Sequence, residues 1–143
     1  MPSDEDLIRK LLMTLGEDPD REGLKETPKR VLSAWKYWMS GYDMDAKKIL
    51  KTFHDGATDY DELIFEGGIP FVSHCEHHMA PFFGVVHIGY IPEDEIVGLS
   101  KLVRLVEMYA LRLQVQERMT VQIAKALEEH TNALVCSSSA FAI

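Results

Sequence analysis

The chain has 143 residues, 46% of them apolar and 27% charged, and 15 Lys and Arg against 23 Asp and Glu leave a formal charge of −8. This is the makeup of a folded globular protein about one domain long, and it excludes a disordered chain. Ten cations face fourteen acids over residues 1–62 and five face nine over the rest, so there is no basic face for duplex phosphates and nucleic acid binding is not expected.

Four of the five cations after residue 62 lie between Lys101 and Arg118, which leaves a locally built site for a small anion open. The acidic start, Met1 to Asp6, leads into no apolar signal core, and no stretch approaches the ~18 apolar residues of a membrane span. A cytoplasmic protein is expected. Cys75 and Cys136 are too few for a disulfide framework, so metal binding or plain packing is expected of each in preference to a bond between them.

Ser3 and the acids after it precede Leu7, Ile8, Leu11, Leu12 and Leu15, spaced at three and four, which predicts a capped amphipathic helix stopped by Gly16. Asp18-Pro19-Asp20 is turn chemistry. Thr27-Pro28 then predicts an N-cap and a proline in the first turn of a second helix carrying Val31, Leu32, Trp35, Trp38 and Met39. The two tryptophans read as packing residues rather than stacking platforms. A short helix near residues 45–53 is predicted, then a loop through Asp55-Gly56.

Leu63 to His74 reads as a strand with a bulge at Gly67-Gly68, and Val85 to Ile91 as a second, leaving residues 73–84 at a strand end and loop. Leu102, Val103, Leu105, Val106 and Tyr109 start a helix. A second helix, carrying Thr120, Ile123, Ala124 and Leu127, follows a break at Gln114-Val115-Gln116. Ala133 to Cys136 could form a third strand. Two strands and two helices leave an open face and edge, which a second subunit could cover.

Three clusters can carry chemistry. In Ser73-His74-Cys75-Glu76-His77-His78, a thiol and an imidazole three residues apart, Cys75 and His78, can reach one ion, and zinc favours that mixture of donors. They would be two of the three ligands a catalytic zinc takes. His77, not needed as a ligand, would be placed for proton transfer. Ser100, Lys101 and Arg104 bring a hydroxyl and two cations to a helix start, where free N–H groups favour anions. Glu117 with Gln116 could bind a guanine edge. Each cluster has a plainer reading: a packed cysteine with surface histidines, a capping serine with solvated cations, and polar residues decorating a helix.

Five separated stretches, residues 18–30, 73–84, 86–92, 98–101 and 112–118, closely resemble the GTP cyclohydrolase I family. They follow that family's order across roughly residues 5 to 130. The resemblance implies an α+β protein: an N-terminal helical region over residues 1–60, then a partial tunnelling-fold (T-fold) catalytic domain over 61–143. That domain would hold two antiparallel strands and two helices, with the second strand pair incomplete or absent. It further implies zinc-dependent opening of the GTP imidazole ring to give formate and 7,8-dihydroneopterin triphosphate, in pterin or tetrahydrofolate biosynthesis.

By the same resemblance Cys75 and His78 bind Zn²⁺, His77 is the catalytic acid/base, Ser100, Lys101 and Arg104 hold the triphosphate, and Gln116 and Glu117 read guanine. The partners implied are GTP and further copies of the chain, in a ring with active sites between subunits. After about Glu129 the family pattern of a His-x-Cys segment, which supplies a third zinc ligand, is not found. Cys136 is a weak candidate for that ligand. A second reading is therefore a catalytically silent relative acting as an interaction or ring-completing subunit.

Overall fold

In the computed structural model, residues 2–54, 62–93, 95–133 and 135–142 are described, the last stretch mainly by its backbone. The loop expected at Asp55-Gly56 lies outside them. The chain forms two compact units, residues 1–39 and 40–143, so residues 40–54 go with the sheet.

In the first unit α1 spans Asp4–Thr14. Ser3 Oγ accepts from the Asp6 N–H at 3.2 Å and the Asp6 carboxylate accepts from the Ser3 N–H at 2.9 Å, a reciprocal cap. The helix ends as expected at Gly16, whose φ of +87° lets the N–H groups of Gly16 and Glu17 reach back to Met13 and Leu12. α2 spans Thr27–Trp38 and packs on α1. The N-cap position belongs to Glu26 rather than Thr27, without a side-chain bond. A turn from Leu24 to Thr27 has already coiled the chain, so Thr27 enters as the first helical residue and Pro28 follows it. Trp35 and Trp38 meet edge to face at 5.6 Å.

The second unit begins with one turn of 3-10 helix, Ser40–Asp43, and a four-residue helix α3, Ala46–Ile49, capped by Asp45. That helix is shorter than the sequence suggested. Thr52 and Phe53 instead form β1, which pairs antiparallel with β4 (Ile96–Val97). β2 (Ile64–Cys75) and β3 (Pro81–Ile91) form a long antiparallel hairpin. The expected loop 73–84 shrinks to five residues, because Val72, Ser73 and His74 continue the ladder against Phe83, Phe82 and Pro81. The bulge falls where expected: Glu66 faces Ile88 and Ile69 faces Val86, so Gly67 and Gly68 together oppose His87. Gly68 carries φ +74° and donates to His87 Nδ1 at 3.1 Å.

α4 (Leu99–Ala110) and α5 (Gln116–Thr131) are separate helices joined through β5 (Leu113–Gln114), so the break at Gln114 to Gln116 is real. β6 (Val135–Ala142) pairs antiparallel along β3. It is twice the length expected, since the open β3 edge supplies ladder partners to a serine run that has no apolar alternation of its own. The larger sheet has the order β5-β2-β3-β6. This is the α+β arrangement expected of a T-fold unit, a strand pair and a helix pair with a single further strand.

Alternation along β3 sends Val86, Ile88 and Tyr90 inward, where they join Ile69 and Phe71 of β2 against Leu102, Leu105 and Val106 of α4 and Met119, Ile123 and Leu127 of α5. Each of the buried leucines stabilises the fold by about 1.5–3 kcal/mol. Tyr90 carries a polar tip into this core and satisfies it: its hydroxyl accepts from the Val97 N–H at 2.9 Å and donates to the Val97 carbonyl at 3.3 Å. Among the described residues no helix is long and apolar enough to cross a membrane.

Candidate functional site

The turn between β2 and β3 is built by its own backbone. The Cys75 N–H donates to the Ala80 carbonyl at 2.8 Å and the Met79 N–H to the Cys75 carbonyl at 2.7 Å, with Met79 at φ +56°. This presents Cys75 half-buried and His77 and His78 exposed. Cys75 Sγ lies 3.8 Å from His77 Nδ1, and the rings of His77 and His78 stand edge to face at 6.3 Å. His74, one residue back, is buried, and burial pulls its pKa below the ordinary imidazole value.

The end of β2 is joined to the helix connection 39 residues further on. His74 and Cys75 pair parallel with Leu113 and Gln114, and the Glu76 N–H donates to the Gln114 carbonyl at 3.0 Å. β5 is in turn anchored by the Gln114 side chain, buried to 1% exposure, which donates to the Tyr109 carbonyl and to Gln122 Oε1, both at 2.9 Å. Arg112 is gripped as well. Its guanidinium lies over the rings of Tyr109 and Tyr42 at 4.8 and 5.6 Å and donates to the Gly41 carbonyl at 3.0 Å.

The start of α5 follows directly. Gln116 donates through Nε2 to the Ala140 carbonyl of β6. Glu117 is exposed. Arg118 reaches back to the turn and holds the Glu76 carboxylate with both terminal nitrogens, Nη2 to Oε1 at 2.7 Å. Those hydrogen bonds keep the Glu76 pKa below the usual carboxylate range and raise that of Arg118. This pair was not legible locally: Glu76 read as one more metal-capable side chain and Arg118 as helix decoration, and nothing in either neighbourhood points to a partner 42 residues away.

The third cluster is at the far end of α4. Gly98 takes the N-cap position with no side-chain bond, so Ser100 does not cap, and Ser100, Lys101 and Arg104 line the first turns with Ser100 and Arg104 exposed. Eleven residues of helical rise separate Ser100 from Leu111, about 16 Å along the axis. The β2–β5 pairing and the Glu76–Arg118 pair thus bring the turn that carries Cys75, His77 and His78 beside the segment that carries Gln116 and Glu117, while the anion cluster lies at the other end of α4.

The donor set suits zinc in kind but is short in number. Cys75 and His78 offer sulfur and nitrogen from one turn, yet among the described residues no three of His, Cys, Asp and Glu gather to hold an ion. Cys136 does not make up the number. It pairs with Tyr90, whereas Pro81 beside the turn pairs with His74, and nine residues of strand put its backbone about 30 Å from the turn. The same distance excludes a Cys75–Cys136 disulfide within the chain.

The sequence model of the GTP cyclohydrolase I family matches residues 4–139, further than the resemblance alone had reached. A GTP cyclohydrolase 1 of Janthinobacterium sp. (strain Marseille) is 63% identical over 126 residues, covering 88% of this chain and 64% of the relative. One from Nitrosospira multiformis is 61% identical over 122 residues, with 85% and 64% covered. One from Sinorhizobium fredii is 47% identical over 125 residues, with 87% and 61% covered. The chain thus spans a little under two thirds of the length of these curated relatives. A match over nearly the whole chain, with relatives 47–63% identical over 85–88% of it, places it in the GTP cyclohydrolase I family.

Proposed function

We propose that the chain carries the metal and purine portions of a GTP cyclohydrolase I site, converting GTP to 7,8-dihydroneopterin triphosphate and formate in a cytoplasmic pterin or tetrahydrofolate route. The observation that carries this reading is the β2–β5 register. It sets the Cys75 to His78 turn directly against the segment leading into Gln116 and Glu117, two motifs whose chemistries are useful together on a purine.

Cys75 and His78 would hold zinc, with the third donor coming from outside the described residues. When bound, the ion would supply Lewis acidity and a water reactive at neutral pH. The chain's own groups do the rest. Glu117 accepts from the guanine ring N–H and exocyclic amine, which an adenine edge does not match, and the Gln116 amide supports it. His77, exposed beside the turn, passes a proton to the purine ring nitrogen as the ring opens. Ser100, Lys101 and Arg104 hold phosphate oxygens at the start of α4.

The open outer edge of β6 and the distance between the α4 start and the turn support a ring in which neighbouring copies complete each site. Among the described residues no third ligand joins Cys75 and His78, and the alternative reading is a silent ring-completing subunit. The test is zinc content together with GTP turnover, followed by the fluorescence of the oxidised pterin. One zinc per chain with turnover is expected, and Cys75→Ala and His78→Ala lose the metal. Metal-free, GTP-inert protein that co-purifies with a longer homologue overturns the enzymatic reading in favour of the subunit.

A further inference from the structure

Glu76 stands between Cys75 and His77, and Arg118 immediately follows Glu117. The two residues joined by the ion pair are therefore the sequence neighbours of the proposed metal, proton-transfer and guanine-reading groups. Glu76 is held twice over, its N–H by the Gln114 carbonyl and its carboxylate by both terminal nitrogens of Arg118.

A fork of this kind fixes orientation as well as distance. Successive residues on a helix point about 100° apart, so fixing the Arg118 side chain sets the roll of the first turn of α5 and with it the direction of Glu117. On the other side, the Glu76 oxygen that Arg118 binds also lies 3.9 Å from His77 Nε2, so the pair meets the proposed proton-transfer group as well as α5. The Glu76 and Arg118 side chains are 30% and 46% exposed, where an ion pair contributes little to folding, so the main consequence of the fork is alignment.

We propose that Glu76 and Arg118 are positioning residues that latch the metal-binding turn to the guanine-reading start of α5, so that metal affinity and base selection depend on one another. The proposal rests on the reading of the site given above. With the latch intact, bound metal stiffens the turn, the turn holds Arg118, and Arg118 holds α5 in register for guanine. With it broken, each half keeps its own ligands and loses the influence of the other.

The test uses Co²⁺ as a spectroscopic stand-in for zinc, read by its thiolate charge-transfer and d–d absorption, and equilibrium binding of GTP and ATP with and without the metal. Wild type should bind GTP more tightly when Co²⁺ is present and prefer it to ATP. Arg118→Met should retain its fold by circular dichroism and a thiolate-bound Co²⁺. It should lose metal affinity by about 10-fold, as changes just outside a ligand shell do, and the help that metal gives to GTP binding should vanish. Glu76→Gln, which keeps the turn's backbone bonds, should act in the same direction, and the double variant should be no worse than the more affected single one. Arg118→Lys, with charge but no fork, should restore metal affinity more than base selection.

Wild type that binds Co²⁺ and prefers GTP, with both variants matching it in affinity, selectivity and metal–nucleotide coupling, overturns the latch alone. Wild type that takes neither Co²⁺ nor GTP overturns the reading of the site and the latch together. Should Arg118→Met fail to fold, Glu76→Gln decides by the same measurements.

Discussion

Gly41 is the position at which the smallest change should do most harm. A Cβ there would lie 2.0 Å from the Met108 carbonyl oxygen and 2.7 Å from that of Leu111. Both are backbone atoms, one in the last turn of α4 and one at its C-cap, and cannot rotate away, so Gly41→Ala must push the 3-10 turn off the helix by more than about 1 Å to reach ordinary carbon–oxygen contact. Three hydrogen bonds lie in the path of that shift: Gly41 N–H to the Leu111 carbonyl at 3.0 Å, Arg112 Nε to the Gly41 carbonyl at 3.0 Å, and Leu113 N–H to the Tyr42 hydroxyl at 3.1 Å. Overpacking costs about 1–3 kcal/mol and each lost bond about 0.5–1.5 kcal/mol, so a loss of about 2.5–7.5 kcal/mol is expected if all three bonds break. Urea unfolding followed by circular dichroism measures it from the midpoint and slope. Gly16→Ala is the contrast: Gly16 has open space around it and φ +87°, so its cost is backbone strain of about 1 kcal/mol. A Gly41→Ala midpoint within about 1 kcal/mol of wild type would show that the turn is not docked on α4 as described.

Four further outcomes are expected. His77→Ala should keep its zinc and lose about 100-fold or more in turnover; undiminished turnover removes His77 from proton transfer. Glu117→Ala should reduce the preference for GTP over ATP by about 10- to 100-fold in binding, and an unchanged ratio assigns base selection elsewhere. Tyr90→Phe strands the buried Val97 N–H and should cost about 1–3 kcal/mol in urea unfolding; a neutral result means that group finds another partner. The Asp6 carboxyl is held below its ordinary range, chiefly by the Ser3 hydroxyl, so its stabilising effect is present above that range and is lost as pH falls through the depressed value. Ser3→Ala should raise the Asp6 pKa read by NMR, and no movement would deny the reciprocal cap.

What local patterning can reveal, it revealed. The α1 stripe, the glycine stop at Gly16, the Gly67-Gly68 bulge and the separation of α4 from α5 all follow from spacing and from backbone freedom at particular residues. Each chemical cluster was visible as well, because Cys75, His77 and His78 lie within four residues and Ser100, Lys101 and Arg104 within five. The length of β6 was hidden, since Ser137 to Ser139 have no alternation to read and the strand exists because β3 offers an open edge. The ties among clusters were hidden for a related reason: Gly41 against Leu111, Tyr42 against Arg112 and Glu76 against Arg118 join residues 42 to 70 apart, and no period encodes a contact of that kind.

The position of the candidate site is decided by those hidden contacts. The ladder joining the metal-capable turn to the purine-capable segment is two residues of parallel pairing, Cys75 with Gln114 and His74 with Leu113, too short to hold register by itself. Its register is imposed from outside the pair. Below it, Arg112 is wedged between Tyr42 and Tyr109 and bonded to Gly41; beside it, the buried Gln114 amide is tied to α4 and α5; above it, Glu76 is clasped by Arg118. The core of α4, α5 and β3 would survive release of any one of these ties, whereas the alignment of Cys75 with Glu117 would not. The connection is therefore of the kind that opens locally before the whole unit unfolds. Loss of the site can then precede loss of the fold, with Gly41 and Arg112 contributing to both and Glu76 and Arg118 mainly to the site.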